Sequence, residues 1–328
     1  MNRKLLWAIL LLMVVATGLV VFLLRPKVEL SKIKIADTTI LTSIAIGKGS
    51  FKEEGLQVEW VTGVLVLEDS PSGLLAGKVD YAGFQNFFAK PFIEAILRNA
   101  PIKIIMFTAR HEAYSLVAQP GLKLNDLKTI AIFSQYDSIH YQILKFIEKN
   151  NLEITIITPK TQGDFWNIEK LNNLLLSGEV DAILTFPENA PSLQAQGFSI
   201  LDTLIDESPS CLIVRNDKIE KKPEEVQKVV RVLGKTMEII VSRPEETKGL
   251  LLKSWNPAKT PKENLAIIDN YYPFLKAAYD RKNIPIDEGA ELLIKIVKAG
   301  EFETTQEVEE QIVTPEDLQK VFDFRFVK

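Results

Sequence analysis

Chemistry-bearing residues are scarce in this chain. Of 328 residues one is a cysteine, Cys211, and two are histidines, His111 and His140. A single thiol forms neither an intrachain disulfide nor a cysteine-based metal site. No Gly-x-Ser-x-Gly elbow, Gly-x-x-x-x-Gly-Lys phosphate loop or His-Glu-x-x-His zinc motif occurs. Ser134 and His140 stand six residues apart, a spacing that does not place both on one face of a helix. No enzyme activity and no cofactor are therefore expected. Basic excess is missing as well. Lys and Arg number 39 against 43 Asp and Glu, giving a net charge of −4, and no Arg-rich stripe is interleaved with aromatics. This excludes nucleic acid as a partner.

What the chain does have is an internal echo. Leu74-Leu75-Ala76-Gly77-Lys78-Val79-Asp80-Tyr81-Ala82 returns as Leu175-Leu176-Ser177-Gly178-Glu179-Val180-Asp181-Ala182-Ile183. Each copy reads as a helix ended by Gly, the residue that takes a left-handed cap without steric cost, and then Val-Asp leading into an apolar strand. Upstream, 51–61 parallels 147–157, with Gly55 and Asn151 at the helix-to-strand corner. Further up each copy opens with another strand, 33–36 and 129–133. The order strand, helix, corner, strand, helix, Gly corner, Val-Asp strand predicts two similar α/β lobes with mostly parallel sheets, in preference to one larger doubly wound sheet.

The first 30 residues form a separate unit. Leu5 to Leu24 is an uncharged run of 20 residues behind Arg3 and Lys4, long enough to span a bilayer as a helix. An uncleaved single-pass anchor is favoured over a cleaved signal, because cutting after Ala16-Thr17-Gly18 would leave the apolar 19–24 as a new end. No Cys follows the run, which excludes a lipid-anchored form. The folded part is then expected outside the cytoplasmic membrane. After Asp217 the texture turns to helix-period segments, 223–242, 244–254 and 261–272, each opened by Pro. This tail is expected to pack back on the first lobe, with Trp255, Phe274, Phe322 and Phe324 filling the packing. The division predicted is 1–30 for tip and anchor, 31–113 plus 216–328 for lobe 1, and 114–215 for lobe 2 with the hinge strands.

Gly49-Ser50-Phe51-Lys52-Glu53-Glu54-Gly55-Leu56-Gln57-Val58, both copies of Leu-x-x-Gly-x-Val-Asp, Leu124-Asn125-Asp126-Leu127-Lys128 before a strand, and Gln196-Gly197-Phe198 before Ile200-Leu201 together resemble the substrate-binding proteins of ABC importers for nitrate, sulfonates, taurine and thiamine precursors. The resemblance runs from Ile33 onward. It implies a type II periplasmic-binding-protein-like fold: two lobes joined by two crossing strands, which hinge and close on a small molecule. Segments 114–118 and 211–215 are the expected crossing strands. The implied partners are a small-molecule ligand, the ABC permease and ATPase, and the membrane through the N-terminal helix. The thiamine-precursor synthases of this fold carry a cysteine-rich motif that is absent here.

In open α/β sheets ligands sit beyond the carboxyl ends of the strands. That selects Thr38, Thr39, Thr42, Phe84, Gln85 and Asn86 in lobe 1, and Ser134, Gln135, Tyr136, Phe186 and Glu188 in lobe 2. Hydroxyls and amides there can orient a solute, and Phe84, Tyr136, Phe186 and Trp166 can stack on it. Thr38, Ser134 and Ser138 equally suit helix capping. No metal ligand set is expected. An anion binder would be expected to offer bare amides and Gly at the lobe 2 helix start, whereas this chain has Gln135, Tyr136 and Asp137 there, and Asp137 opposes an anion. Arg110 and His111 could supply positive charge. The expected ligand is a neutral or weakly charged solute with a ring, preferred over sulfonate or nitrate. The competing function is a membrane-tethered sensor or scaffold whose cleft is degenerate.

Overall fold

The computed structural model describes residues 30–36, 40–61, 70–84, 95, 98–109, 112–133, 138–159, 168–206, 210–254, 260–280 and 320–327. The apolar run 5–24 and Trp255 lie outside them, and among the described residues no helix is long and apolar enough to cross a membrane.

Among the described residues ten strands form two five-stranded sheets of the same design. The first holds β1 (Ser31–Ala36), β2 (Leu56–Val61), β3 (Tyr81–Phe84), β4 (Ile102–Ala109) and β10 (Ser210–Arg215), in the order β2-β1-β3-β10-β4. The second holds β5 (Glu112–Ala118), β6 (Thr129–Ala131), β7 (Thr155–Ile157), β8 (Ala182–Thr185) and β9 (Ser199–Asp206), in the order β7-β6-β8-β5-β9. The first three strands of each order are parallel, and the fourth runs antiparallel to both its neighbours. The chain leaves the first sheet after Ala109 and enters the second at Glu112, then leaves the second after Asp206 and re-enters the first at Ser210. Antiparallel pairing flanks both passages, with Ser210 opposite Ala109 in one sheet and Glu112 opposite Asp206 in the other.

One expectation needs correcting. Residues 114–118 and 211–215 do not themselves cross: each lies in the first strand after a passage and belongs to one sheet. β10 inserts between β3 and β4 of the first sheet and buries its Cys211-Leu212-Ile213-Val214 run there.

The helices follow the repeat. In the first unit α1 (Ile40–Lys48) is parted from α2 (Ser50–Glu53) by Gly49, at φ 82°, and α3 (Ser70–Leu75) precedes β3. In the second unit α4 (Ser138–Lys149) is unbroken, α5 (Ile168–Leu176) precedes β8, and α6 (Ala190–Gln194) follows it. The repeated corners are left-handed as expected: φ is 78° at Gly55, 50° at Asn151, 70° at Gly77 and 75° at Gly178.

The Val-Asp echo has a mechanical reason. The Asp80 carboxylate accepts the Lys34 N–H of β1 at 2.8 Å. Asp181 likewise accepts the N–H groups of Lys128 and Thr129, at the start of β6, at 2.7 and 2.9 Å. The Arg215 guanidinium, at the end of β10, donates to the carbonyls of Leu74 and Val79 at 2.8 and 3.1 Å. In the second unit the Gln119 amide, just past β5, donates to the matching carbonyls of Leu175 and Val180. In both units the same two devices pin three segments far apart in sequence.

Among the described residues four further helices follow β10: α7 (Asn216–Lys221), α8 (Pro223–Ser242), α9 (Pro244–Ser254) and α10 (Pro261–Ala278). Val226, Val229, Val230, Leu233, Met237 and Ile240 make the buried stripe of α8 against α1 and β4, in one core with Ile33, Ile35, Ile105 and Leu212. α8 therefore packs on the first sheet. Phe322 and Phe324 also meet it: they stack on each other, and against Phe107 of β4 Phe322 packs edge-on and Phe324 tilted, with centroids 5.2–5.9 Å apart. Phe274 is half-buried in α10. Against expectation, α10 runs on past Tyr272 through Pro273. A proline inside a helix costs about 3 kcal/mol, and burial of Leu275 and Ala278 beyond it offsets the loss. The same helix also touches β5 of the second sheet.

The buried Lys218 ammonium joins α7, α8 and β3, lying 2.6 Å from Glu225 and 2.9 Å from Asp80. Ser31 Oγ and Tyr81 Oη also donate to Glu225, at 2.7 and 3.3 Å. Burial would raise the Glu225 pKa, but these hydrogen bonds and charges hold it below the usual value. Replacing Lys218 by Met strands two carboxylates, and should lower unfolding free energy by about 3–5 kcal/mol in a urea titration. Loss below about 1 kcal/mol would show that the cluster does not brace the fold.

Candidate functional site

In an open α/β sheet a ligand sits beyond the carboxyl ends of the parallel strands. In the first unit these ends are Ala36 and Phe84. Thr42 lies in the first turn of α1 and is wholly buried. Phe84 closes β3 opposite Cys211 of β10. Thr38, Thr39, Gln85 and Asn86, with Arg110 and His111, lie outside the described residues.

In the second unit the described part is fuller. Phe186 follows β8 and lies against Phe133, past the end of β6, with centroids 5.4 Å apart and rings stacked. It also lies 5.8 Å from Tyr114 of β5. Tyr114 is fully buried and Phe133 nearly so, whereas Phe186 keeps part of its surface exposed. The result is one aromatic wall built from three strands. Ser134, Gln135 and Tyr136, with Asp137 and Trp166, lie outside the described residues. The structure thus brings Phe186 and Glu188 together in one turn at the end of β8. It adds Tyr114 and Phe133 as supports that sequence reading missed. Tyr114 read as a hinge-strand residue, and only the pairing of β5 with β8 places it beside Phe186.

Glu188 is the electrostatic anomaly of this turn. Its Oε2 is buried and meets no hydrogen-bond partner among the described residues. Burial pushes its pKa up to about 7, against a small opposing effect from its own backbone N–H. Three residues earlier, the Thr185 hydroxyl is buried and equally unpartnered. Every other buried charge discussed above is paired. At neutral pH the Glu188 carboxyl is therefore poised between a neutral hydrogen-bond donor and an uncompensated anion.

Cys211 is fully buried in β10, and burial raises its thiol well above the ordinary range, keeping it protonated. Among the described residues no three His, Cys, Asp or Glu converge as a metal site.

With this geometry in view, comparison with known proteins assigns the chain. The family model described as NMT1/THI5 like matches residues 39–247. The chain belongs to the NMT1/THI5-like family. Among solved structures, this NMT1/THI5-like protein is similar to a putative periplasmic sulfonate-binding protein, SsuA, of a sulfonate ABC transporter from Methylobacillus flagellatus KT. Identity is 16%, over 91% of this chain and 93% of that one, with a TM-score of 0.65. It is also similar to the alkanesulfonate-binding protein SsuA from Xanthomonas axonopodis pv. citri bound to MOPS, at 13% identity over 90% and 98% of the two chains and a TM-score of 0.63. DSZB in complex with biphenyl-2-sulfinic acid has the same fold, at 12% identity over 90% and 97% of the chains and a TM-score of 0.60. No curated protein sequence matches. The family and the two-sheet, periplasmic-binding-protein-like fold thus agree with the resemblance read from the sequence.

Because the folded carboxyl of Glu188 holds its proton to about pH 7 while the unfolded one releases it near 4.5, the folded form binds more protons in that window. Stability should therefore fall as pH rises from 4.5 to 7, by on the order of 3 kcal/mol. Glu188→Gln should flatten this part of the profile, as read by denaturant midpoints from pH 4.5 to 8. An unchanged slope would mean that Glu188 is paired or solvated in the folded protein.

Proposed function

We infer that this protein is an extracytoplasmic solute receptor of an ABC-type importer, which binds a small organic solute between its two units without chemistry and delivers it to a membrane permease and ATPase. The observation that carries the reading is the duplicated sheet with two passages, the build of a hinged receptor, in a chain of the NMT1/THI5-like family. Both SsuA relatives are binding proteins by description, which favours binding over catalysis. The uncharged run 5–24 serves as a single-pass anchor that keeps the receptor at the outer face of the cell membrane. Lobe 1, from 31–113 and the carboxy-terminal part, and lobe 2 close on the solute about the passages at 110–111 and 207–209.

The contacts are supplied by Thr38, Thr39, Thr42, Phe84, Gln85 and Asn86 on one side and by Ser134, Gln135, Tyr136, Phe186 and Glu188 on the other. Support for this set is its common place after the carboxyl ends of β1, β3, β6 and β8. The partly exposed Phe186 ring, backed by Phe133 and Tyr114, favours a solute with a ring.

A thermal-shift screen of the full-length chain in mild detergent, against pyrimidines, flavin and thiamine precursors, aromatic acids, sulfonates, nitrate and amino acids, tests the reading. A cargo at about 100 times its Kd should add roughly 2.7 kcal/mol of stability. A shift confined to one class supports the receptor. No shift from any class favours a tethered scaffold with a degenerate cleft. Tyr136→Ala should weaken whatever binding is found at least tenfold without changing the unliganded Tm.

A further inference from the structure

The strand by which the chain leaves each sheet is the edge strand of that sheet. β4 ends at Ala109 before β5 opens the second sheet, and β9 ends at Asp206 before β10 returns to the first. The two edges are finished differently. Every residue of β4 except Lys103 is buried, and residues 320–327 run along its outer side. Phe322 bridges Ile104 in parallel, the Asp323 N–H donates to the Ile104 carbonyl at 2.8 Å, and the Lys103 ammonium donates to the Lys320 carbonyl. The Phe322 and Phe324 rings lie against Phe107, two residues before the strand ends, with centroids 5.9 and 5.3 Å from it. Gln227 of α8 donates to the Phe326 carbonyl at 2.8 Å, and the Phe326 ring is buried in the core of the first unit. Along β9, by contrast, only β5 pairs among the described residues, and Ile200 and Asp202 are exposed.

Resting on the hinged-receptor reading above, we propose that 320–327 is a strap that holds the strand leading into the first passage, so that the units turn mainly about the passage after β9, and that release of the strap loosens the first passage as well. An edge strand keeps a row of N–H and C=O groups that its own sheet does not use. Segments with few buried contacts and exposed backbone bonds open locally at the lowest cost. β9 fits that description, and β4 under the strap does not. The strap can part from β4 without unfolding the sheet, because one isolated backbone bridge joins the two and the remaining hold comes from the Phe322, Phe324 and Phe326 side chains and a few polar contacts.

The test uses the full-length chain and the double variant Phe322→Ala/Phe324→Ala, which removes the rings on Phe107 and leaves every proposed solute contact in place. Hydrogen exchange read by mass spectrometry, corrected for intrinsic rates, compares peptides covering β4 with those covering β9. In the wild type β4 should exchange at least tenfold more slowly than β9. In the variant β4 should speed up at least tenfold while β9 keeps its rate. Equal rates in the wild type, or a β4 that the variant leaves unchanged, overturn the proposal. A rise in both strands alike marks a general loss of stability and overturns it too.

A second readout is the distance between spin labels at Gly47→Cys on α1 and Leu144→Cys on α4, taken without solute. Its distribution should broaden when the two rings are removed, and an unchanged width counts against the strap. Neither readout needs a bound solute, so the thermal-shift screen judges the receptor reading by itself. The wild-type comparison of β4 with β9 decides the matter should the variant fail to fold.

Discussion

Two aspartates do the same work at the same place in the two units, and the rest of the structure depends on them. Asp80 and Asp181 each stand at the entrance of a parallel strand and accept backbone N–H groups from the strand beside it. A charged acceptor on a backbone donor is among the stronger hydrogen bonds a fold can make. Here it fixes the register of β3 on β1 and of β8 on β6. With that register set, Arg215 and Gln119 fasten the antiparallel strand to the same corner. The strand so fastened is the one that arrives from the other unit. The corner that holds each sheet together is therefore also where the two units are tied into one chain path.

The units have diverged around this shared frame. The first gained mass: α7 to α10 cover its helical side, Lys218 links Asp80 to Glu225 beneath them, and 320–327 pairs alongside β4. The second kept a lighter frame and carries the exposed aromatic edge and the unpartnered carboxyl. One unit thus carries the braced charge cluster, and the other the strand-end turn proposed to meet a solute. α10 also reaches β5, a contact that the proposed closure of the units would have to slide or release.

Much of this was legible in the residues, for reasons that can be named. Gly55, Asn151, Gly77 and Gly178 mark corners because few other residues adopt positive φ cheaply, so the duplication was visible before any sheet was. The prolines opening α8, α9 and α10 announced the carboxy-terminal helices. The owner of β10 was not legible, since Cys211-Leu212-Ile213-Val214 reads as a buried strand in either sheet and only pairing decides which. Pro273 misled in the same way, as burial of Leu275 and Ala278 outweighs a local rule. At the candidate site, strand-end position picked out Phe186 and Glu188. That Tyr114 and Phe133 back the ring, and that Glu188 Oε2 is buried with no partner among the described residues, are consequences of tertiary packing that spacing does not carry.

The central claim is that two copies of one unit hinge about their shared passages when a solute binds. It is tested most directly by the distance between spin labels on the two units. Gly47, where a side chain meets open space, and the exposed Leu144 are suitable sites for cysteine, and the fully buried Cys211 does not compete for label. With a solute shown by calorimetry to be bound, the account predicts that pulsed dipolar spectroscopy finds the distance distribution moved to shorter values. A saturated receptor whose distribution matches the unliganded one would contradict it.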